Sequence, residues 1–197
     1  MIKKQFINLS ILLIILLICP ALSFANNGDT GAATVYKVTI EQFEMYNGTS
    51  WVTVSSGNST TIDIASVSAG SAAGTFFAGL NVPDGSYTQV RVTVSSTFTV
   101  SGSVGSDGTP VYTTATLNSG ACVSSATAGD QAECTVSVPG GLPAPTPDAL
   151  PSTLTIANGA PSHKIRVNFN VSNAVQEVAG AALVPASPTV TMEMIAL

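Results

Sequence analysis

Apolar and polar side chains alternate with a period of two in one segment of this chain after another, which is the pattern of half-buried β-strands. The clearest stretch runs from Thr75 to Gly102. An apolar run leads to a turn at Val82-Pro83-Asp84-Gly85, followed by a long strand predicted from Tyr87 to about Val100. In that strand Val90, Val92 and Val94 share one face, and Gln89, Arg91 and Thr93 share the other. Proline presets φ, aspartate bonds locally and glycine supplies positive φ, so Pro-Asp-Gly between two such runs is a turn with a mechanism. Upstream, Thr34 to Tyr46 reads as a first strand. Tyr36, Val38 and Ile40 lie on one face and Phe43 and Met45 fall one position out of phase, a slip that predicts a β-bulge at Glu41-Gln42. An Asn47-Gly48 turn returns the chain into a short strand, Trp51 to Val54. Ile62 and Ile64 mark another strand within Thr60 to Ala65, and Ser66 to Gly74 is a small-residue loop.

Beyond Gly102 a turn-rich break precedes strands predicted at Val111 to Leu117 and Ala132 to Val138. Pro139 to Pro151 holds five prolines and reads as an extended surface connection. Leu154 and Ile156 form a short strand before the Asn158-Gly159 turn, and His163 to Val171 a longer one. Asn173 to Val184 leaves room for a helical turn or two, and Thr189 to Ala196 closes the chain with Val190, Met192 and Met194 alternating against Thr191 and Glu193. Eight or nine short strands separated by turn signals predict an all-β fold, an antiparallel β-sandwich of immunoglobulin-like type. Residues 34–197 are expected to form a single domain, with a cysteine loop and proline-rich insertion at about 103–151.

The first 25 residues change the picture. Lys3 and Lys4 precede an apolar run from Ile7 to Ile18, and Ser23-Phe24-Ala25 offers small residues at a cleavage site. This is the layout of a secretory signal peptide cut after Ala25. The apolar core is shorter than the ~20 residues a spanning helix needs. Cys19 follows Leu-Leu-Ile rather than a small residue, which argues against lipidation. Residues 26–33 read as a flexible polar leader. Loss of the two lysines takes the formal net charge from −5 to −7. An acidic chain lacks the basic face that nucleic acid or an anionic membrane requires, so no nucleic-acid partner and no membrane insertion after cleavage are expected. Only 9% of residues are charged, whereas 45% are apolar, enough for a core. The expected destination is secreted or cell-surface, with the periplasm also open. The two cysteines that remain, Cys122 and Cys134, are then most simply a disulfide.

The segments YKVTIEQFEMYNGTSWVTV, TIDIAS and AGLNVPDGSYTQVRVTV together resemble a family of exported bacterial domains of unknown function. That family has a transthyretin-like or carboxypeptidase-regulatory-like sandwich. The last segment is similar to its strand, proline-x-glycine-x-tyrosine turn and returning strand. The resemblance covers about Val35 to Val94, with a weaker echo in HKIRVNFNV and the final strand, and departs after Val100. It implies a sandwich and brings no catalytic residues.

Candidate chemistry is sparse. His163, the sole histidine, adjoins Ser162, yet no G-x-S-x-G elbow is present to make a nucleophile of a serine. No catalytic set, metal site or cofactor is therefore expected. Asp63, Asp84, Asp107, Asp130, Glu133 and Asp148 are scattered without the spacing of a calcium loop, and Asp29 and Asp107 in particular read as turn residues. Trp51 and Tyr46, with Tyr36, Tyr87 and Tyr112, are the candidates for stacking on a glycan. Sandwich edges are normally guarded by charge or proline. The terminal strands here carry few charges, so Val35, Val38 and Ile40, and Val190, Met192 and Met194, mark edges available for self-association. The expected role is thus a non-catalytic structural or adhesive protein, assembling as a fibre subunit through terminal strand pairing. The alternative is a carbohydrate-binding module.

Overall fold

The structure, a computed structural model, describes residues 28–57, 61–66, 82–106, 109–178 and 182–197. The expected signal peptide, Asp107 and the first arm of the hairpin, from Thr75, lie outside the described residues. Strands account for nearly all regular structure. In chain order they are β1 (Thr30–Gly31), β2 (Ala33–Val38), β3 (Ile40–Tyr46), β4 (Trp51–Ser56), β5 (Ile62–Asp63), β6 (Gly85–Val94), β7 (Thr97–Ser106) and β8 (Thr109–Asn118). Then follow β9 (Ala121–Ser125), β10 (Cys134–Ser137), β11 (Asp148–Ala157), β12 (Ala160–Pro161), β13 (His163–Asn170), β14 (Val175–Val178), β15 (Ala182–Pro185) and β16 (Thr189–Ala196). The only helical piece among the described residues is a 3-10 turn at Ala128–Asp130.

Every pairing among the described residues is antiparallel. A nine-stranded sheet runs β1-β14-β15-β9-β8-β7-β2-β5, with β10 also on β7. A five-stranded sheet runs β12-β11-β6-β3-β4, and β13 and β16 make a separate ribbon. β7 is the hub of the large sheet. It holds β2 along one side, while β10 and then β8 share the other. The large sheet curls around its own core, bringing Tyr36, Phe98, Val100 and Val136 together with Val104, Cys122, Val175 and Leu183. A second cluster, Met45, Tyr87, Val90, Leu150, Leu154 and Ile156, lines the inner face of the five-stranded sheet. The ribbon covers that face in sandwich fashion with Ile165, Met192 and Met194, and reaches the first cluster with Phe169. Burying one such aliphatic side chain contributes about 1.5–3 kcal/mol.

The long strand predicted from Tyr87 to Val100 is two strands in two different sheets. β6 belongs to the five-stranded sheet and β7 to the large one, with the chain switching at Ser95 and Ser96. The same corner is used at Thr39, where β2 of the large sheet passes into β3 of the smaller one. The Ser95 N–H donates to the Thr39 carbonyl at 2.8 Å, tying the two crossings together. The phase slip read as a bulge at Glu41-Gln42 is found there: the ladder to β6 shifts register between Ile40 and Gln42, just after the change of sheet, and Tyr36 faces the first cluster and Met45 the second. Strands that change sheet at a bend are how sandwich corners are built.

Three other segments differ from expectation. The leader is anchored at its end, because β1 pairs with β14 and Ala33 is buried. The segment at 103–151, expected as an insertion with strands at Val111 to Leu117 and Ala132 to Val138, supplies β8 and β9 within the large sheet and β10 beside β7. The 173–184 segment contains β14 and β15, paired strands with no helical turn among its described residues. Val175 and Leu183 there are fully buried, and strand pairing satisfies their backbone inside the core. Pro151 lies within β11, where the ladder to β6 breaks between Ala149 and Leu154, the place a residue without an N–H is tolerated.

Candidate functional site

The Cys122–Cys134 disulfide joins β9 to β10 with a Cα–Cα separation of 6.0 Å, and both cysteines are fully buried in the first cluster. The segment around Cys122, expected to be loop, is the strand β9, so the bond crosses between two elements of one sheet. Its burial makes it a staple sealed from solvent.

The edge candidates separate into two groups. Val35 and Val38 lie in β2, which is flanked by β7 on one side. On the other side are β5 and the Asp63 carboxylate, which accepts the Tyr36 N–H at 2.9 Å. Ile40 opens β3, an interior strand between β6 and β4. Val190, Met192 and Met194 lie in β16, opposite Phe169, Val167 and Ile165 of β13. Among the described residues, the outer edges of this eight-residue ribbon carry no backbone hydrogen bonds to another element. Lys164 and Arg166 stand on the β13 strand, and Arg166 pairs with Glu193 at 3.5 Å.

Of the stacking candidates, Tyr36 and Tyr87 are core residues. Tyr36 donates its hydroxyl to the Ala186 carbonyl at 3.1 Å, and burial pushes its phenol pKa well up. Tyr87 donates to the Pro83 carbonyl at 2.9 Å. Tyr46 and Trp51 are different. The Asn47 side chain closes their hairpin by accepting the N–H groups of Thr49 and Ser50. The register sets Tyr46 opposite Trp51 on the outer face, ring centroids 5.3 Å apart at 45°. Arg91 on β6 reaches across Glu44 on β3, and its guanidinium carbon lies 4.4 Å from the Trp51 ring centroid. Glu44 accepts from both Nε and Nη2 of Arg91, a bidentate pair. Those bonds hold the Glu44 carboxyl below the usual carboxylate range although its burial opposes this, and hold the Arg91 pKa up. Sequence reasoning placed Arg91 on the polar face and missed its link to Trp51. The alternation carried the face, while the partner depended on the β3–β6 register.

Four of the candidate carboxylates, those of Asp63, Asp84, Asp130 and Glu133, are engaged in structural contacts. Asp63 also accepts the Ala65 N–H, Asp130 accepts the Ser125 hydroxyl, and Glu133 pairs with Lys37. Asp84 accepts the N–H groups of Asn158 and Gly159, joining the Pro83 turn to the β11–β12 turn. Among the described residues no group of three or more metal-ligating side chains converges. Ser162 Oγ lies 2.8 Å from His163 Nδ1 and accepts the Thr155 N–H, so this serine is tied into the β11–β12 hairpin.

These features define a class, an all-β domain of antiparallel sheets stapled by one buried disulfide. The chain belongs to the family described as Domain of unknown function (DUF4382), which matches residues 27–183 and runs through the 103–151 segment. No curated protein matches the chain, and no solved structure does. Among the described residues no helix is long and apolar enough to cross a membrane.

Proposed function

We propose that this protein is an exported, non-catalytic structural or adhesive domain that self-associates by adding a strand to its C-terminal ribbon. The observation that carries the reading is the ribbon itself. β13 and β16 pair over eight residues, yet among the described residues their outer edges hold no backbone hydrogen bond to another element. An unpaired edge is a template for another chain. β16 is the less guarded of the two, since Glu193 is its one charge while β13 carries Lys164 and Arg166. The N-terminal segment and the buried disulfide support export: a signal-like leader precedes a chain whose cysteine pair is closed.

Light scattering on the oxidised protein lacking residues 1–25 tests this across a concentration series. The expected result is mass that grows with concentration. Thr191→Lys places a charge on the outer face of β16 and is expected to hold the protein monomeric with an unchanged circular dichroism spectrum. A constant monomer mass for the unsubstituted protein, or growth unaffected by Thr191→Lys, overturns the reading.

A further inference from the structure

The outer face of the five-stranded sheet carries the chain's one tryptophan. Trp51 and Tyr46 belong to neither core cluster, and both are half-buried. Each ring is nonetheless held from more than one side. The Tyr46 hydroxyl donates to the Gly48 carbonyl at 3.1 Å, folding the phenol back over its own turn. The indole leans on that phenol and is covered on one face by the Arg91 guanidinium, itself locked by Glu44. Aromatic rings fixed in place at a surface lose little conformational freedom on binding.

The charge arrangement narrows what such a surface fits. Arg91 and Glu44 neutralise each other in a bidentate pair, so the ledge beside the rings carries no net charge. An anionic ligand would have to compete with Glu44 for the same guanidinium, and a cationic one with Arg91 for the carboxylate. Around the rings the register places polar, uncharged groups on the same face: Gln89 opposite Tyr46, and Thr53 opposite Glu44, with the Gln42 amide donating to the Thr53 hydroxyl. A ligand with an apolar face to lie on an aromatic ring and a rim of hydroxyls for amide and hydroxyl partners is a sugar.

We propose that the Tyr46–Trp51 pair and the neutral ledge beside it form a binding surface for an uncharged oligosaccharide, distinct from the strand edge that assembles the protein. Arg91 is a positioning residue in this site, setting the indole's tilt.

Because Trp51 is the sole tryptophan, its fluorescence reports the site directly. The experiment titrates the oxidised protein with neutral probes (cello-, manno- and xylohexaose) and with an acidic one, the galacturonic acid hexamer. The expected result is a saturable change in emission with at least one neutral probe. Tyr46→Ala is expected to weaken binding by roughly tenfold, the scale of one aromatic contact, and Tyr46→Phe, which keeps the ring, to stay within about threefold. Trp51→Ala, followed by calorimetry, is expected to abolish it. Thermal melts confirm that each variant is folded. Response to the acidic probe alone, response to no probe, or neutral binding that survives both Tyr46→Ala and Trp51→Ala each overturns the proposal.

Discussion

Tyr87 shows why a turn motif of this kind takes the residues it does. Its ring is 1% exposed in the second cluster, and its hydroxyl reaches back four residues to the Pro83 carbonyl. A buried phenol needs such a partner, and the turn supplies it, so proline, glycine and tyrosine form one device rather than three preferences. Tyr87→Phe is expected to cost about 1 kcal/mol in chemical denaturation, the net worth of one hydrogen bond. Asp84, between them, accepts two N–H groups of the Asn158-Gly159 turn, where Asn158 sits at φ 53° and Gly159 at φ 72°. The bond from Gly159 leads in holding the Asp84 carboxyl below its ordinary value, with the one from Asn158 next, as the Arg91 bonds do for Glu44. In the unfolded chain these carboxylates take up protons at higher pH than in the folded protein. The stability they contribute is therefore full above the ordinary carboxylate range and is lost as pH falls through the lowered values. Asp148 works in the opposite sense, since burial raises its pKa and favours its neutral form. Melting temperatures between about pH 6 and about pH 2 are expected to fall on acidification, and Asp84→Asn to make that fall shallower.

At the scale of elements, the fold depends on close approach inside the large sheet, where β7 passes β2 and packs on β14. A Cβ on Gly102 would meet the Ala32 carbonyl oxygen at 2.4 Å and a Val175 methyl at 2.8 Å, so backbone and core would both have to move. Gly102→Ala is expected to destabilise by roughly 1–3 kcal/mol, as overpacking does. The disulfide ties β9 to β10 across a sequence separation of 12. Replacing both cysteines with serine is expected to cost about 3 kcal/mol on the chain-entropy account, read as a lower denaturation midpoint. The individual strands were legible from alternation: the last strand is predicted and found at Thr189–Ala196. Their assignment to sheets was not. Val90, Val92, Val94, Phe98 and Val100 keep one parity from β6 through the corner into β7, so nothing in the pattern marks the switch. At Thr39 the parity is likewise kept from Tyr36 through Val38 to Ile40, so that switch is unmarked too; the parity changes only at the bulge between Ile40 and Gln42.

For the whole molecule, the consequence of those crossings is two cores in one chain. The ribbon touches both, with Ile165, Met192 and Met194 on one and Phe169 on the other. Removing β16 is expected to loosen the second core before the first. Hydrogen exchange on a chain ending at Ser187 is expected to show protection lost in β6 and β11 while β7, β9 and β10 stay protected behind the disulfide. Uniform loss of protection would show instead that the two cores unfold as one unit.

By itself the sequence determined most of the longer strands, the turns between them and the disulfide partners, because these rest on local chemistry: side-chain period, residues that tolerate tight turns, and a cysteine pair beyond the N-terminal apolar segment. It put Tyr46 and Trp51 on one hairpin, but the structure set them opposite each other, because residues 47–50 form a four-residue loop where a tight Asn47-Gly48 turn would have paired Tyr46 with Thr49. Only the tertiary structure decided that Glu44 and Arg91 meet, 47 residues apart, and that Arg91 lies over the indole. It likewise decided that the 103–151 segment is woven into the large sheet and that the first and last strands belong to different sheets. These depend on which strands pair and in what register, and a period of two is satisfied equally by many pairings.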